Sequence, residues 1–106
     1  MIVTERAQDQ AWIAGYVERR KEVLHRVRRM LQVSLGLNRE LEEIDPDTAL
    51  FGTGLGMDSI DAVEIVIALE SELRVRIEDP LERKLALRSV NSLVDRILAA
   101  EVARGA

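Results

Sequence analysis

Ser59 stands in the stretch Leu55-Gly56-Met57-Asp58-Ser59-Ile60-Asp61, where a glycine-bearing loop gives way to a run with helical spacing. A hydroxyl at such a junction should be exposed. The free N–H groups and the positive dipole end of a helix start favour an anion joined to it. The chemistry this placement suits is therefore covalent modification by an anionic group. Self-activated attack is a poor fit, because a nucleophilic serine needs a base within hydrogen-bond reach, itself oriented by a third group. The single histidine, His25, falls in a distant basic stretch, and Asp58 and Asp61 are too weakly basic at neutral pH. Gly56 lies three residues before the serine, so no Gly-x-Ser-x-Gly turn forms. On residue type alone a polar pair at a helix start is structural, with Asp58 the natural N-cap.

The other motifs carry less. Gly52-x-Gly54-x-Gly56 lacks a preceding strand, the spacing of a dinucleotide loop and a following Gly-Lys-Ser/Thr. Asp45-x-Asp47 begins like a calcium loop but has no glycine at the sixth position and no glutamate at the twelfth. Both read as turns. With no cysteine and one histidine, neither a disulfide nor a zinc site is expected.

Positioning Ser59 falls to helices. Val23, Val27, Met30, Leu31 and Leu35 recur at helical spacing and predict a first helix over about Val23–Leu35, stopped by Gly36. Upstream, Trp12, Ile13, Tyr16 and Val17 predict either an earlier start or a separate helical turn, with Gly15 as the weak point. Residues 1–18 are accordingly read as an N-terminal, candidate helical extension and 19–106 as the folded domain. The long connection Leu37–Met57 holds Asp45-Pro46-Asp47 and three glycines, while Leu41, Ile44, Leu50, Phe51 and Leu55 can pin it down. A second helix is predicted over Ser59–Leu73, a short one over Leu81–Leu87 and a last one after Ser89, where Val90, Leu93, Val94, Ile97, Leu98 and Val102 keep a 3.6-residue period. No alternating run calls for a strand, so the fold class is all-α.

The 106 residues carry a net charge of −4, with 47% hydrophobic and 32% charged residues, which fits one globular domain with a small core. Sign segregation matters more than the total. Arg19, Arg20, Lys21, Arg26, Arg28 and Arg29 form a basic cluster, whereas Glu40–Glu82 holds thirteen acids against Arg74 and Arg76. The acidic segment surrounds Ser59 and implies basic partners. The basic cluster reads as a solvated or protein-facing surface, since an acidic remainder with few aromatics argues against nucleic acid. No stretch approaches membrane-spanning length and no secretory signal is evident, giving a cytoplasmic expectation.

Asp58-Ser59-Ile60-Asp61-Ala62-Val63-Glu64-Ile65-Val66 resembles the phosphopantetheine attachment sequence of acyl carrier proteins, usually Asp-Ser-Leu-Asp followed by a valine- and glutamate-bearing helix. The resemblance extends from about Val23 to Leu98. Val23–Leu37 is similar to the family's first helix, with a basic pair before an aliphatic pair and a closing Leu-Gly-Leu. Asp47–Ile67 is similar to its loop and second helix, including Leu50-Phe51 and Leu55-Gly56. It implies an antiparallel four-helix bundle with a long loop between helices one and two and a short third helix. It also implies a 4′-phosphopantetheine arm on Ser59, flanked by Asp58, whose terminal thiol carries acyl groups as thioesters. The chain would then be a carrier and not an enzyme, and a monomer.

The implied partners are holo-acyl-carrier-protein synthase or another phosphopantetheinyl transferase, and acyl-loading and acyl-processing enzymes with basic patches. Asp61, Glu64, Ile60 and Val63 would meet them, and Val63, Ile67, Leu69, Leu93 and Ile97 would line an acyl-chain cavity. Arg74, Arg76, Arg83, Lys84 and Arg88 stand where housekeeping members are predominantly acidic. With the N-terminal extension, they point to a specialised carrier for a dedicated fatty-acid, lipid or polyketide-type pathway. A stand-alone peptidyl or aminoacyl carrier usually has a Gly-Gly-x-Ser loop where this chain has Met57-Asp58. That carrier and an unmodified helical interaction module are the alternatives.

Overall fold

The computed structural model describes the backbone of residues 2–105 and the side chains of residues 11–105. Four helices follow in order: α1 (Ile2–Leu35), α2 (Ser59–Leu73), α3 (Pro80–Ala86) and α4 (Val90–Gly105), with a 3-10 turn at Leu41–Glu43. Among the described residues there are isolated bridges, Ala49 with Ser89 and Phe51 with Met57, and no strand. The all-α expectation holds.

α1 is one continuous helix, not a helix with a separate turn before it. Gly15 does not break it, because the flanking Ala11, Ala14, Glu18 and Arg19 are good helix formers and a single interior glycine costs only about 1 kcal/mol. Its 34 residues amount to roughly 51 Å at 1.5 Å per residue, so this one element accounts for most of the molecule's 54 Å long axis. Side chains 11–18 are all exposed, and the first buried one among the described residues is Val23. The helix therefore overhangs the bundle. At its other end Gly36 takes φ +61°, and the N–H groups of Gly36 and Leu37 donate to the carbonyls of Val33 and Gln32. Those are the paired bonds of a glycine-terminated helix end.

The core is aliphatic. Val23, Val27 and Leu31 from α1, Ile65 and Leu69 from α2, and Leu93, Val94 and Ile97 from α4 are buried together with Ile44 and Leu50 from the loop. Trp12, Tyr16 and Phe51 all stay largely exposed. No polar or charged side chain among the described residues is buried, so the interior has no polar network to fix its geometry. Around the rim, Arg19 pairs with Glu101, and Arg20 with Asp95 and Asn91, tying α1 to α4.

The long loop is fastened to α4. Asn91 N–H donates to the Pro46 carbonyl at 2.8 Å, Val90 N–H to the Thr48 carbonyl at 3.2 Å, and the Asn91 side chain to Asp47 at 2.7 Å. The loop thus satisfies N–H groups that a helix start leaves free. Ser89 and Ser92 add a reciprocal cap, Ser92 N–H to Ser89 Oγ at 3.1 Å and Ser89 N–H to Ser92 Oγ at 2.8 Å.

Candidate functional site

Two short backbone bonds deliver Ser59 to its place. Leu55 N–H donates to the Ala49 carbonyl at 3.0 Å and Met57 N–H to the Leu50 carbonyl at 2.9 Å, closing the glycine loop on itself. Met57 and Leu50 are buried, so the loop is anchored immediately before α2 begins. Gly56 has φ +72°, a conformation that favours glycine. Gly54 is required for a different reason: a Cβ there would lie 1.9 Å from the Ala49 carbonyl oxygen.

α2 starts with a reciprocal cap. Asp61 N–H donates to Asp58 Oδ1 at 2.9 Å and Asp58 N–H to Asp61 Oδ2 at 3.0 Å. Ser59 is the first helical residue and is exposed. The Asp61 N–H bond, supported by Ile60 N–H, holds the Asp58 carboxyl below its ordinary pKa. Asp58 is therefore a carboxylate at neutral pH and too weak a base to take the Ser59 proton. His25 lines a groove with Glu72 and Leu73, at the other end of α2, about 20 Å along the helix axis from Ser59. The base that catalysis would need is far from the hydroxyl.

Asp58, Ser59, Ile60, Asp61, Val63 and Glu64 come together as the first two turns of one helix. Ile60, at 70% exposure, and Val63 are open to solvent. Glu64 is exposed and makes no ion pair among the described residues, whereas Asp61 is committed to the cap.

Alongside this face lies a cleft of about 290 Å³ lined by Ala62, Val63, Val66, Ile67, Arg83 and Leu87. Of the residues expected to line an acyl cavity, Val63 and Ile67 are on its wall. Leu69, Leu93 and Ile97 are instead fully buried in the core. Leu87 belongs to both cleft and core.

Sequence reasoning missed Ala62, Val66, Arg83 and Leu87. Val66 sat in the apolar stripe already, and Ala62 is one turn before it. Arg83 could not be found by pattern: Nε donates to the Ile77 carbonyl at 3.1 Å and Nη2 to the Glu78 carbonyl at 3.0 Å. That places a cation at an otherwise apolar cleft through contacts with an irregular segment.

These features fit a phosphopantetheine arm. The Ser59 hydroxyl is exposed at a helix start, and an apolar cleft opens beside the same face. No described group of three or more histidine, cysteine, aspartate or glutamate residues could hold a metal. No described helix is long and apolar enough to cross a membrane.

The profile of the phosphopantetheine attachment site family matches residues 23–97. An acyl carrier protein of Cyanidium caldarium is 31% identical over 80 residues, covering 74% of this chain and 90% of the relative. One from Phaeodactylum tricornutum is 35% identical over 66 residues, covering 62% and 83%. Another, from Saccharopolyspora erythraea, is 43% identical over 61 residues, covering 56% and 59%. The chain belongs to the acyl carrier protein family, whose members are carriers and not enzymes and hold acyl groups on a covalently attached 4′-phosphopantetheine.

Proposed function

We propose that Ser59 is the attachment residue and that the chain carries acyl intermediates for a dedicated fatty-acid, lipid or polyketide-type pathway. The observation that carries this reading is the placement of one exposed serine at the capped start of α2, beside an apolar cleft. Ser59 Oγ is the acceptor of the phosphate, and the transferase brings the base. The N-terminus of α2 stabilises the added anion by about 0.3–1 kcal/mol at an exposed site. The carboxylates of Asp58, Asp61 and Glu64 oppose it, but at an exposed site the high dielectric of water weakens that repulsion. When bound, the arm supplies a thiol that holds the acyl group as a thioester.

Basic patches on the transferase and on acyl-processing enzymes would be steered to Asp58 and Glu64 and then pack on Ile60 and Val63. An acyl chain would enter between Val63, Ile67 and Leu87. To reach Leu69, Leu93 and Ile97 it must part α2 from α3 and α4, which a core without buried polar bonds permits. Loss of methyl shift changes at these positions on acylation would remove the cavity proposal. A cytoplasmic location belongs to the same reading and is checked by cell fractionation.

The deciding experiment is intact-protein mass spectrometry after incubation with coenzyme A, magnesium and a broad-specificity phosphopantetheinyl transferase. One pantetheinyl addition, absent in Ser59→Ala, is expected. No addition to folded protein would refute Ser59 as the attachment site. Loading with amino acids in place of acyl groups would reassign the cargo.

A further inference from the structure

Beside its core-facing stripe, α1 turns His25, Arg26, Arg29 and Val33 toward the C-terminal end of α2, and with Met30, Glu72 and Leu73 they enclose a groove of about 420 Å³. Its floor is apolar, from Met30 and Leu73, and Val33 on its wall is 73% exposed. Arg26 and Arg29 are exposed and form no ion pair or side-chain hydrogen bond among the described residues. Arg74 follows Leu73 directly, and Arg104 Nη1 donates to the Arg74 carbonyl at 3.1 Å.

Arg26 and Arg29 on the groove wall and Arg104 on the Arg74 carbonyl therefore bring three guanidinium groups to one end of α2. A helix C-terminus offers only about half a negative charge, and Glu101, the carboxylate that feels Arg26 and Arg104, is already bound by Arg19, so a positive excess remains. Glu72 is the one carboxylate lining the groove.

We infer that this groove docks an acidic amphipathic helix of a partner protein, its apolar residues on Met30, Val33 and Leu73 and its carboxylates on Arg26 and Arg29. Charge complementarity selects the sign. Glu72 selects against a phosphate-dense polymer or an anionic membrane, which would bring further negative charge onto it, whereas a helix can set a neutral or basic residue there. The groove is about 21 Å along α2 from Ser59. A partner held there leaves the acidic face around Ser59 open, so the carrier can engage an acidic protein and a basic enzyme together. The inference stands on the groove itself and does not depend on Ser59 being modified.

The test is methyl and amide NMR of the full chain titrated with an acidic amphipathic helical peptide of about five turns, leucines on one face and glutamates flanking them. Saturable shifts at Met30, Val33 and Leu73, with a Kd in the micromolar to submillimolar range, are expected. Arg26→Glu with Arg29→Glu should weaken binding at least about tenfold, equivalent to about 1.4 kcal/mol, while Ser59 modification by the transferase proceeds at the unaltered rate. Circular dichroism checks the fold of that variant, and the milder Arg26→Gln with Arg29→Gln should lie between. Absence of shifts at about 1 mM peptide, a regime of barely −4 kcal/mol, would overturn the proposal. So would shifts confined to the Ser59 end, or affinity indifferent to the reversals. Tighter binding of single-stranded DNA or of phosphatidylglycerol vesicles to the same residues would replace the protein partner with nucleic acid or membrane.

Discussion

Gly54→Ala isolates the loop that presents Ser59. The added methyl would sit 1.9 Å from the Ala49 carbonyl oxygen, where real contacts stay beyond 3.0 Å, so loop backbone must move by more than an ångström. The obstacle is backbone and cannot swing aside like a side chain. The Ala49 carbonyl is also the acceptor for Leu55 N–H, so the displacement strains or breaks that bond, at about 1 kcal/mol. Overpacking adds about 1–3 kcal/mol. Against this, alanine restricts the unfolded chain and returns about 0.4–1 kcal/mol, because Gly54 does not have a positive φ. The net expectation is destabilisation by about 1–3 kcal/mol, or a fall in Tm of roughly 5–20 °C for a domain of this size. Urea unfolding followed by circular dichroism gives the first number directly, and the rate of pantetheinylation in folded protein shows whether the presentation of Ser59 changes too. A Tm unchanged or raised in Gly54→Ala would refute the steric argument.

Charge reversal should separate two roles within α2. Glu64→Lys should slow modification several-fold at low salt, with the difference shrinking as salt rises, and leave the unfolding free energy within about 0.5 kcal/mol of the parent as exposed substitutions do; salt-independent rates would contradict recruitment by this face. Asp61→Lys should also lower Tm, because it removes the carboxylate that accepts Asp58 N–H, at about 0.5–2 kcal/mol for a lost cap. Arg74 ends α2 at φ +56°, so Arg74→Gly should relieve about 1 kcal/mol of left-handed strain and raise Tm; a drop would mean its side chain stabilises the fold. The Arg19 hydrogen bonds hold Glu101 below its ordinary pKa. A depressed carboxyl contributes stability above its unfolded pKa and loses it as pH falls through the folded one, so Glu101→Gln should flatten the acid limb of a Tm profile below about pH 5. An unaltered acid limb would show that the pair adds nothing.

The core-facing parts of α1, α2 and α4 were legible because each has a stripe and an end signal: Gly36 after α1, Asp58 before α2, Ser89 before α4. The start of α1 at Ile2 and the Asp79 cap of α3 were not, since the first precedes the buried stripe and the second opens a helix too short to show a period. The exposed placement of Ser59 at the start of α2 was legible because a glycine-bearing loop and an N-capping aspartate precede it. The capping role of Asp61 was not read, since an aspartate three residues after an aspartate looks like surface charge until the backbone bonds are seen. The cleft was half legible. Val63 and Ile67 follow from the α2 stripe, but Arg83 and Leu87 reach it only through the path of residues 74–79, whose alternation buries Val75 and Ile77 without forming a strand and so does not reveal where the chain runs. Leu69, Leu93 and Ile97 carry the same pattern as cleft residues, because periodicity identifies a buried face and says nothing of depth. The attachment of the loop to α4 through Pro46 and Thr48 carbonyls involves backbone atoms, which leave no side-chain signature.

The overhang of α1 also governs how this molecule can be watched. Trp12, the only tryptophan, is 71% exposed and stacks on Tyr16 with ring centroids 5.9 Å apart, beyond the reach of the buried core. Its fluorescence therefore reports fraying of one helix end and stays nearly silent when Leu31, Ile65 and Leu93 come apart. Unfolding curves from tryptophan emission and from circular dichroism should not coincide, a divergence usually taken as the mark of an intermediate. Here two independent events would produce it, one at the tip of a single helix and one in the bundle.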